Sequence, residues 1–164
     1  MKSEDVISMP ARCNACRTER LDGKPCNVKT CLCSCHRNVD RSQRTISGRE
    51  GTPVTDDHRE IDPASGQQKG YVVLTEAERA KGFVRPVRRT YIHVGKPPEG
   101  KGFEYPIVKV FPGGCGTRTT CSQDIAETYA RDPEFYSGTF CCSCRAHFPL
   151  DQFVWEGTTE AVGS

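Results

Sequence analysis

Apolar residues are spread unevenly along the chain, and their spacing changes near Gly70. Over residues 38–70 the larger aliphatic side chains stand singly among Arg, Asp, Ser, Gly and Thr. Such a stretch buries too little apolar surface to offset the entropy lost when its backbone is ordered. The pattern therefore predicts a flexible linker over 38–70, with a long ordered loop on the following domain as the alternative.

Beyond Gly70, short apolar stretches alternate with turn residues, which predicts a small α+β domain over 71–164. Val, Ile, Tyr, Phe and Thr are enriched in several short runs, as is typical of strands. The predicted strands are 71–74, 83–94 (broken near Pro86), 103–111 and 152–155.

Two capping-box patterns predict where helices begin. Residues 75–78, Thr-Glu-Ala-Glu, open a short helix that ends at Gly82. Residues 120–123, Thr-Cys-Ser-Gln, start a second helix that runs to about Arg131. The Asp-Pro pair at 132–133 stops that helix, because the residue before proline is disfavoured in the helical conformation.

Eleven cysteines fall into two groups at opposite ends of the chain, with none between Cys35 and Cys115. The odd count excludes a complete set of internal disulfides, and residues 1–10 contain no apolar segment of a secretory signal. A reducing cytoplasm is therefore the expected location, where clustered cysteines most often bind metal. No apolar run approaches the ~20 residues that span a bilayer, so no membrane association is expected.

The first cysteine group predicts a zinc-knuckle module over residues 10–37. This stretch holds too few aliphatic side chains for a core, and small modules commonly use a metal ion instead. A redox-active dithiol at Cys13-x-x-Cys16 is the alternative, but it lacks the strand-to-helix setting of such motifs. Zinc takes four ligands, which favours one ion held by Cys13, Cys16 and two of the later donors, with two ions sharing a sulfur as the alternative. The candidates are Cys13, Cys16, Cys26, Cys31, Cys33, Cys35 and His36.

The second cysteine group predicts another zinc site in the C-terminal domain. Cys141-x-x-Cys144 has knuckle spacing, whereas the adjacent Cys141 and Cys142 rarely face one ion. Cys115 precedes Gly116, and glycine accepts the left-handed conformation that a knuckle turn requires. The fourth ligand stays open at this point, and spacing alone favours Cys121 or His147. The full set of candidates for that ligand is His93, Cys121, Cys142 and His147.

Several stretches of the last ~95 residues form a distinctive set. They are Leu74-Thr-Glu-Ala-Glu-Arg-Ala-Lys-Gly-Phe-Val-Arg-Pro-Val-Arg-Arg, Cys115-Gly-Thr, Glu127-Thr-Tyr-Ala-Arg-Asp-Pro, Thr139-Phe-Cys-Cys-Ser-Cys-Arg-Ala-His-Phe-Pro and Phe153-Val-Trp-Glu-Gly. In these stretches the chain resembles a family of small, uncharacterised phage and prophage proteins. The resemblance implies zinc binding by the C-terminal domain.

The resemblance also implies a particular ligand set. In shorter members a histidine after an Arg-Arg-x-Tyr strand stands two residues before the cysteine of the Cys-Gly pair. His93 and Cys115 would then form the first half-site, with residues 95–114 inserted between them and looping out. Members often carry another residue type at the position of Cys121. The implied zinc site is thus His93, Cys115, Cys141 and Cys144, arranged like a zinc ribbon with a helix between the half-sites.

Charge is segregated along the chain, which raises nucleic-acid binding as a second function class. Lys and Arg exceed Asp and Glu by 5 over residues 71–118, and the balance over 119–164 is −5. The formal net charge of +2 assumes neutral thiols. Zinc binds thiolates, so with two loaded sites the total falls to about −1. The basic residues concerned are Lys81, Arg85, Arg88, Arg89, Lys96, Lys101 and Lys109.

Closed zinc sites and the absence of a catalytic constellation favour a non-catalytic protein-interaction module that holds two zinc ions. If the phage resemblance extends to function, its partner is a host or viral protein in the host cytoplasm. An enzyme using Cys142 as a nucleophile beside His147 is the third class. Paired carboxylates, a phosphate-binding loop and an open metal site are all missing from the sequence pattern, so we expect no enzymatic activity.

Overall fold

Short antiparallel strands and a few short helices make up the described part of the chain, residues 41–103 and 109–164, in this computed structural model. All of these residues belong to one unit, Arg41–Ser164. The predicted knuckle of residues 10–37 and the first residues of the predicted linker lie outside the described residues. None of the helices in the described ranges is long and apolar enough to cross a membrane.

The strands form three small antiparallel sheets among the described residues. β1 pairs with β2, β3 lies between β4 and β7, and β5 forms a hairpin with β6. The strands are β1 (Arg44–Ile46), β2 (Val72–Leu74), β3 (Thr90–His93), β4 (Arg118–Thr120), β5 (Gly138–Cys141), β6 (Ala146–Pro149) and β7 (Phe153–Trp155). The α-helices are α1 (Glu76–Arg79) and α2 (Gln123–Arg131), and 3-10 turns occupy Arg41–Gln43, Asp56–Arg59 and Leu150–Gln152.

Both predicted helices are present. The Thr75 hydroxyl accepts a hydrogen bond from the Glu78 amide at the start of α1, as a capping residue does. In α2 the N-cap is Ser122 rather than Thr120, because Thr120 is taken up by strand β4. The helix ends at Arg131, and Asp132 is extended before Pro133. The mixed content agrees with the predicted α+β class at this level of detail.

The predicted strands agree with the structure only in part. Residues 72–74 and 153–155 are strands, whereas only the end of the predicted 83–94 strand, residues 90–93, pairs with its neighbours. Of the predicted strand at 103–111, residues 104–108 lie outside the described residues, and 103 and 109–111 are not strand. Strands β1, β4, β5 and β6 were not predicted, because each is short and is defined by pairing with a neighbour rather than by its own apolar pattern.

The interpretation of residues 38–70 as a flexible linker is wrong for 41–70. β1 pairs with β2 in the register Thr45↔Val73, and the Ser47 amide donates to the Tyr71 carbonyl at 2.8 Å. The Ser47 hydroxyl and the amide of Gly48 also donate to the Asp124 carboxylate on α2, at 2.8 and 2.9 Å. The segment is ordered by hydrogen bonds to partners distant in sequence, so its own lack of apolar surface does not decide its state.

The hydrophobic core lies between the three-stranded sheet and α2. Tyr91 of β3 meets Phe153 and Trp155 of β7 edge-on, with ring centroids 5.4 and 6.0 Å apart. Tyr129 of α2 packs on Trp155 from the helix side, with ring centroids 5.5 Å apart. The cluster also contains Cys141, which is fully buried at the end of β5. The core therefore extends to the place where strands β3 and β5 end.

Residues 41–70 also touch the β5–β6 turn through Gly66. A β-carbon at Gly66 would lie 2.0 Å from the Arg145 carbonyl oxygen, and Gly66 has a φ of +74°. Gly51 has a similar φ of +80° but open space around its α-carbon. Substitution of Gly51 would therefore test backbone strain alone, whereas substitution of Gly66 would add a steric clash.

We expect Gly66→Ala to destabilise the protein clearly more than Gly51→Ala. The left-handed conformation costs an L-residue about 1–2 kcal/mol at either position. The clash with Arg145 adds about 1–3 kcal/mol at Gly66 alone. Guanidinium unfolding of both variants measures the difference. Equal losses of unfolding free energy in the two variants would show that this segment does not pack on the turn.

Candidate metal centre

Four potential metal ligands come together where strands β3 and β5 end. His93 is the last residue of β3, Cys115 follows in the chain after the loop, Cys141 ends β5 and Cys144 lies in the β5–β6 turn. Their ligand atoms all lie within 4.8 Å of one another. This is the set that the family resemblance implied, and this cluster could hold a metal ion.

The first half-site depends on a close return of the backbone. The His93 carbonyl accepts hydrogen bonds from the amides of Cys115 and Gly116, at 3.1 and 2.8 Å. A β-carbon at Gly114 would lie 2.3 Å from the carbonyl carbon of Val94, so only glycine fits there. Residues 95–114 therefore begin and end side by side, which places Cys115 next to His93 despite 21 intervening residues.

The two cysteine turns share a backbone feature. Cys115 is followed by Gly116 with a φ of +71°, and Cys144 is followed by Arg145 with a φ of +52°. Arg145 is the one non-glycine residue with positive φ among the described residues. Holding an arginine in this conformation costs about 1–2 kcal/mol, which the surrounding structure must offset. The sequence predicted this conformation after Cys115 only, because glycine commonly adopts a positive φ and arginine rarely does.

The spacing of the four ligand atoms fits a tetrahedral zinc ion. With Zn–S bonds of about 2.3 Å and Zn–N bonds of about 2.0 Å, tetrahedral S···S edges are about 3.8 Å and N···S edges about 3.5 Å. The Cys115 and Cys141 sulfurs are 3.4 Å apart, and the Cys144 sulfur is 3.6 Å from His93 Nδ1. All these thiols are free rather than disulfide-bonded. The outer limit of 4.8 Å exceeds these edges by about 1.0 to 1.3 Å, so small side-chain movements bring the cluster to the geometry of one ion.

His93 is held in a fixed orientation for this role. Its ring is fully buried and stacked between Phe148 and Phe153, with centroids 4.4 and 4.7 Å away. Its Nε2 lies 3.2 Å from the side-chain oxygen of Gln152, which can only accept. The proton therefore sits on Nε2, and the Nδ1 lone pair faces the three sulfurs, as in proteins whose metal-binding histidines are oriented by a second hydrogen bond.

The thiols of the cluster differ strongly in acidity. Burial raises the pKa of Cys115, but hydrogen bonds from the hydroxyl and amide of Thr117 and from Cys141 outweigh it and lower the pKa to about 6. Loss of solvation, then the neighbouring sulfurs of Cys115 and Cys141, raise the pKa of Cys144 to about 12. Without a cation the crowded sulfurs cannot all be ionised, and a divalent ion would remove this repulsion.

The structure does not bring the remaining candidates of the C-terminal domain into the cluster. Cys121 is half-buried beside the core, and burial raises the pKa of its thiol to about 11. Cys142 is exposed, with its sulfur 3.4 Å from the Thr119 hydroxyl. His147 lies against Tyr71, whose hydroxyl is 3.0 Å from its Nε2. The N-terminal candidates Cys13, Cys16, Cys26, Cys31, Cys33, Cys35 and His36 lie outside the described residues.

Sequence reasoning missed the residues that orient His93. Gln152, Phe148 and Phe153 come from the segment after the second knuckle, which carries no spacing rule of its own. One available signal was the proximity of these residues to the Cys141–Cys144 pair in sequence. Their contact with His93 depends on the antiparallel pairing of β3 with β7, in which His93 stands opposite Phe153.

We expect the alkylation rates of the described cysteines to depend on metal. In zinc-loaded protein, iodoacetamide modifies the exposed Cys142 first, because bound thiolates are protected and Cys121 is half-buried with a raised pKa. After chelation Cys115 becomes the fastest thiol, and its rate rises from pH 5 to about pH 7 as the thiolate forms above its pKa.

Peptide mapping by mass spectrometry measures these rates, with Cys144 as the internal comparison. Its raised pKa keeps it protonated and slow at neutral pH in the metal-free protein. Equal rates for Cys115 and Cys144 after chelation would contradict the described difference in acidity.

Known proteins offer no relative from which the role of the cluster could be inferred. No protein-family model, curated protein or solved structure matches the sequence or the fold. The assignment of a metal centre therefore stands on the geometry and chemistry of its four side chains.

Proposed function

We propose that the chain is a zinc protein in which His93, Cys115, Cys141 and Cys144 hold one ion in a structural, zinc-ribbon-like site. The observation that carries the proposal is that the ligand atoms of these four residues lie within 4.8 Å of one another. Three thiolates and one imidazole in a tetrahedron favour zinc over the harder magnesium and calcium ions. When bound, the ion ties the two turns together and contributes to folding. A second ion in the N-terminal cysteine group completes the proposal.

A non-catalytic role is supported by how the site is closed. Four protein ligands fill a tetrahedral zinc ion and leave no position for water or substrate. Cys142 and His147 also contact different groups, Thr119 in one case and Tyr71 in the other. A nucleophilic thiol needs a base within hydrogen-bond reach, so this arrangement favours a binding protein over a thiol enzyme.

A protein partner is supported by a rigid, exposed apolar pair. Phe83 and Val84 are 46% and 63% exposed. The amides of Val84 and Arg85 both donate to the carbonyl of Ala130 on α2, at 2.9 and 3.0 Å, which holds the pair in place. Among the exposed large apolar side chains of the described residues, these two are adjacent in sequence, and contiguous exposed apolar surface marks interaction sites. The resemblance to phage proteins adds a host or viral partner in the host cytoplasm.

The basic stretch supports nucleic-acid binding less well. Arg88 pairs with Glu160 and Lys81 with Glu78, and Lys96 lies 3.4 Å from the Asp151 carboxylate. These acidic partners reduce the positive field that phosphate binding requires. Acidic side chains of residues 119–164 thus offset part of the positive charge of the basic stretch, at Arg88 and Lys96.

We expect Cys141→Ser to remove one zinc ion from the protein. Native mass spectrometry of the full chain should show two ions in wild type and one in this variant, because the hydroxyl of serine is a poor replacement for a thiolate ligand. The matched control is the adjacent Cys142→Ser, which should keep the wild-type zinc content. Wild-type content in both variants, or equal loss in both, would sink the proposed site.

We expect the exposed apolar pair, rather than the basic stretch, to mediate binding. A photo-crosslinking residue at Val84 should capture a specific protein in host cells, while the same residue at the comparably exposed Val110 should not.

Filter binding of DNA, duplex and single-stranded, should show no strongly salt-dependent affinity. Affinity that falls steeply with salt would favour the nucleic-acid function instead.

A further inference from the structure

A cavity of about 350 Å³ lies beside the core, separate from the four metal ligands. Strand β4, the end of β5, helix α2 and residues of the 47–71 segment surround it. Protein interiors are close-packed, with few voids larger than a water molecule. A space of this volume falls in the size range of small-molecule sites.

The walls of the cavity are held open by hydrogen bonds. Four tyrosines line it, Tyr71, Tyr91, Tyr129 and Tyr136. The hydroxyl of Tyr91 donates to the Phe140 carbonyl at 2.9 Å, and that of Tyr136 donates to the Val72 carbonyl at 2.8 Å. These bonds direct the rings to fixed positions and prevent them from rotating inwards to fill the space. A pre-formed wall of this kind lowers the cost of ordering a site when a ligand binds.

The cavity favours a ligand without charge. Arg118 is the one ionised side chain among the described residues that line it. Its side chain is 69% exposed and its guanidinium pairs with Glu156, so it stands at the mouth rather than inside. The remaining walls are aromatic rings, threonine and serine hydroxyls, and the thiols of Cys121 and Cys142. An unpaired carboxylate or ammonium buried against such walls carries a large desolvation cost.

We propose that this cavity binds an uncharged, flat aromatic molecule of one or two rings that carries a hydroxyl or similar polar group. Tyr71 and Tyr136 are partly exposed, whereas Tyr91 and Tyr129 are buried against the core, so the two partly exposed rings are the ones that a planar ligand can contact. Thr139 lines the same space, and its hydroxyl, which donates to the Tyr91 hydroxyl at 2.9 Å, can accept a hydrogen bond from a ligand hydroxyl. The site is independent of the zinc proposal, because none of its lining residues belongs to the metal cluster.

The test uses full-length protein and two probes that differ in charge, 2-naphthol and 2-naphthoate. In a titration followed by amide NMR, 2-naphthol should bind saturably, with shifts concentrated at residues that line the cavity. The ionised 2-naphthoate should bind at least about tenfold more weakly than 2-naphthol, since its carboxylate must be desolvated. No saturable binding of 2-naphthol, or equal binding of both probes, would overturn the proposal.

A cavity-filling variant locates the binding. Ile125→Trp places a larger side chain in the cavity wall and should abolish 2-naphthol binding. Ile61→Trp is the matched control, because Ile61 is 50% exposed and outside the cavity, and it should bind as wild type does. Retained binding in a folded Ile125→Trp variant contradicts the proposal. Should that variant not fold, the alkylation rate of Cys142 in the wild-type protein tests the site instead. Bound 2-naphthol should slow this alkylation, and an unchanged rate overturns the proposal.

Discussion

The convergence of two turns on one point is the constraint on which the rest of the structure depends. Three sulfurs and an imidazole nitrogen approach within 4.8 Å of one another. Sulfurs so close repel when ionised, and loss of solvation together with this repulsion raises the pKa of Cys144. A divalent cation held between these sulfurs would replace this repulsion by attraction.

The metal cluster and the hydrophobic core are one continuous structure. Cys141 belongs to both, since its side chain is fully buried in the core while its sulfur faces the cluster. His93 likewise lies between the rings of Phe148 and Phe153, of which Phe153 is part of the core. The ends of β3 and β5 are therefore positioned from one side by apolar packing and from the other by the cluster. A small core of this kind gains rigidity from the link.

Residues 41–70 are an ordered part of the unit that spans residues 41–164. Strand β1 extends β2, the Asp124 carboxylate on α2 accepts bonds from the following turn, and Gly66 lies against the backbone of Arg145. Ser47 and Gln67 from this segment also form part of the cavity wall. The cavity thus depends on a segment whose sequence indicates no structure by itself.

Local features of the sequence determined the helices, the strands at 72–74 and 153–155, and the cysteine pair of the second knuckle. Capping residues, the Asp-Pro stop and the Cys-x-x-Cys spacing act over a few residues, so they can be recognised without knowledge of the fold. The choice of His93 as a ligand came from the family resemblance, since no spacing rule relates it to Cys115. Only the tertiary structure decided the ordering of residues 41–70, the orientation of His93 by Gln152 and the cavity. Each of these depends on contacts between segments far apart in the chain, and a local pattern of residues carries no information about such partners.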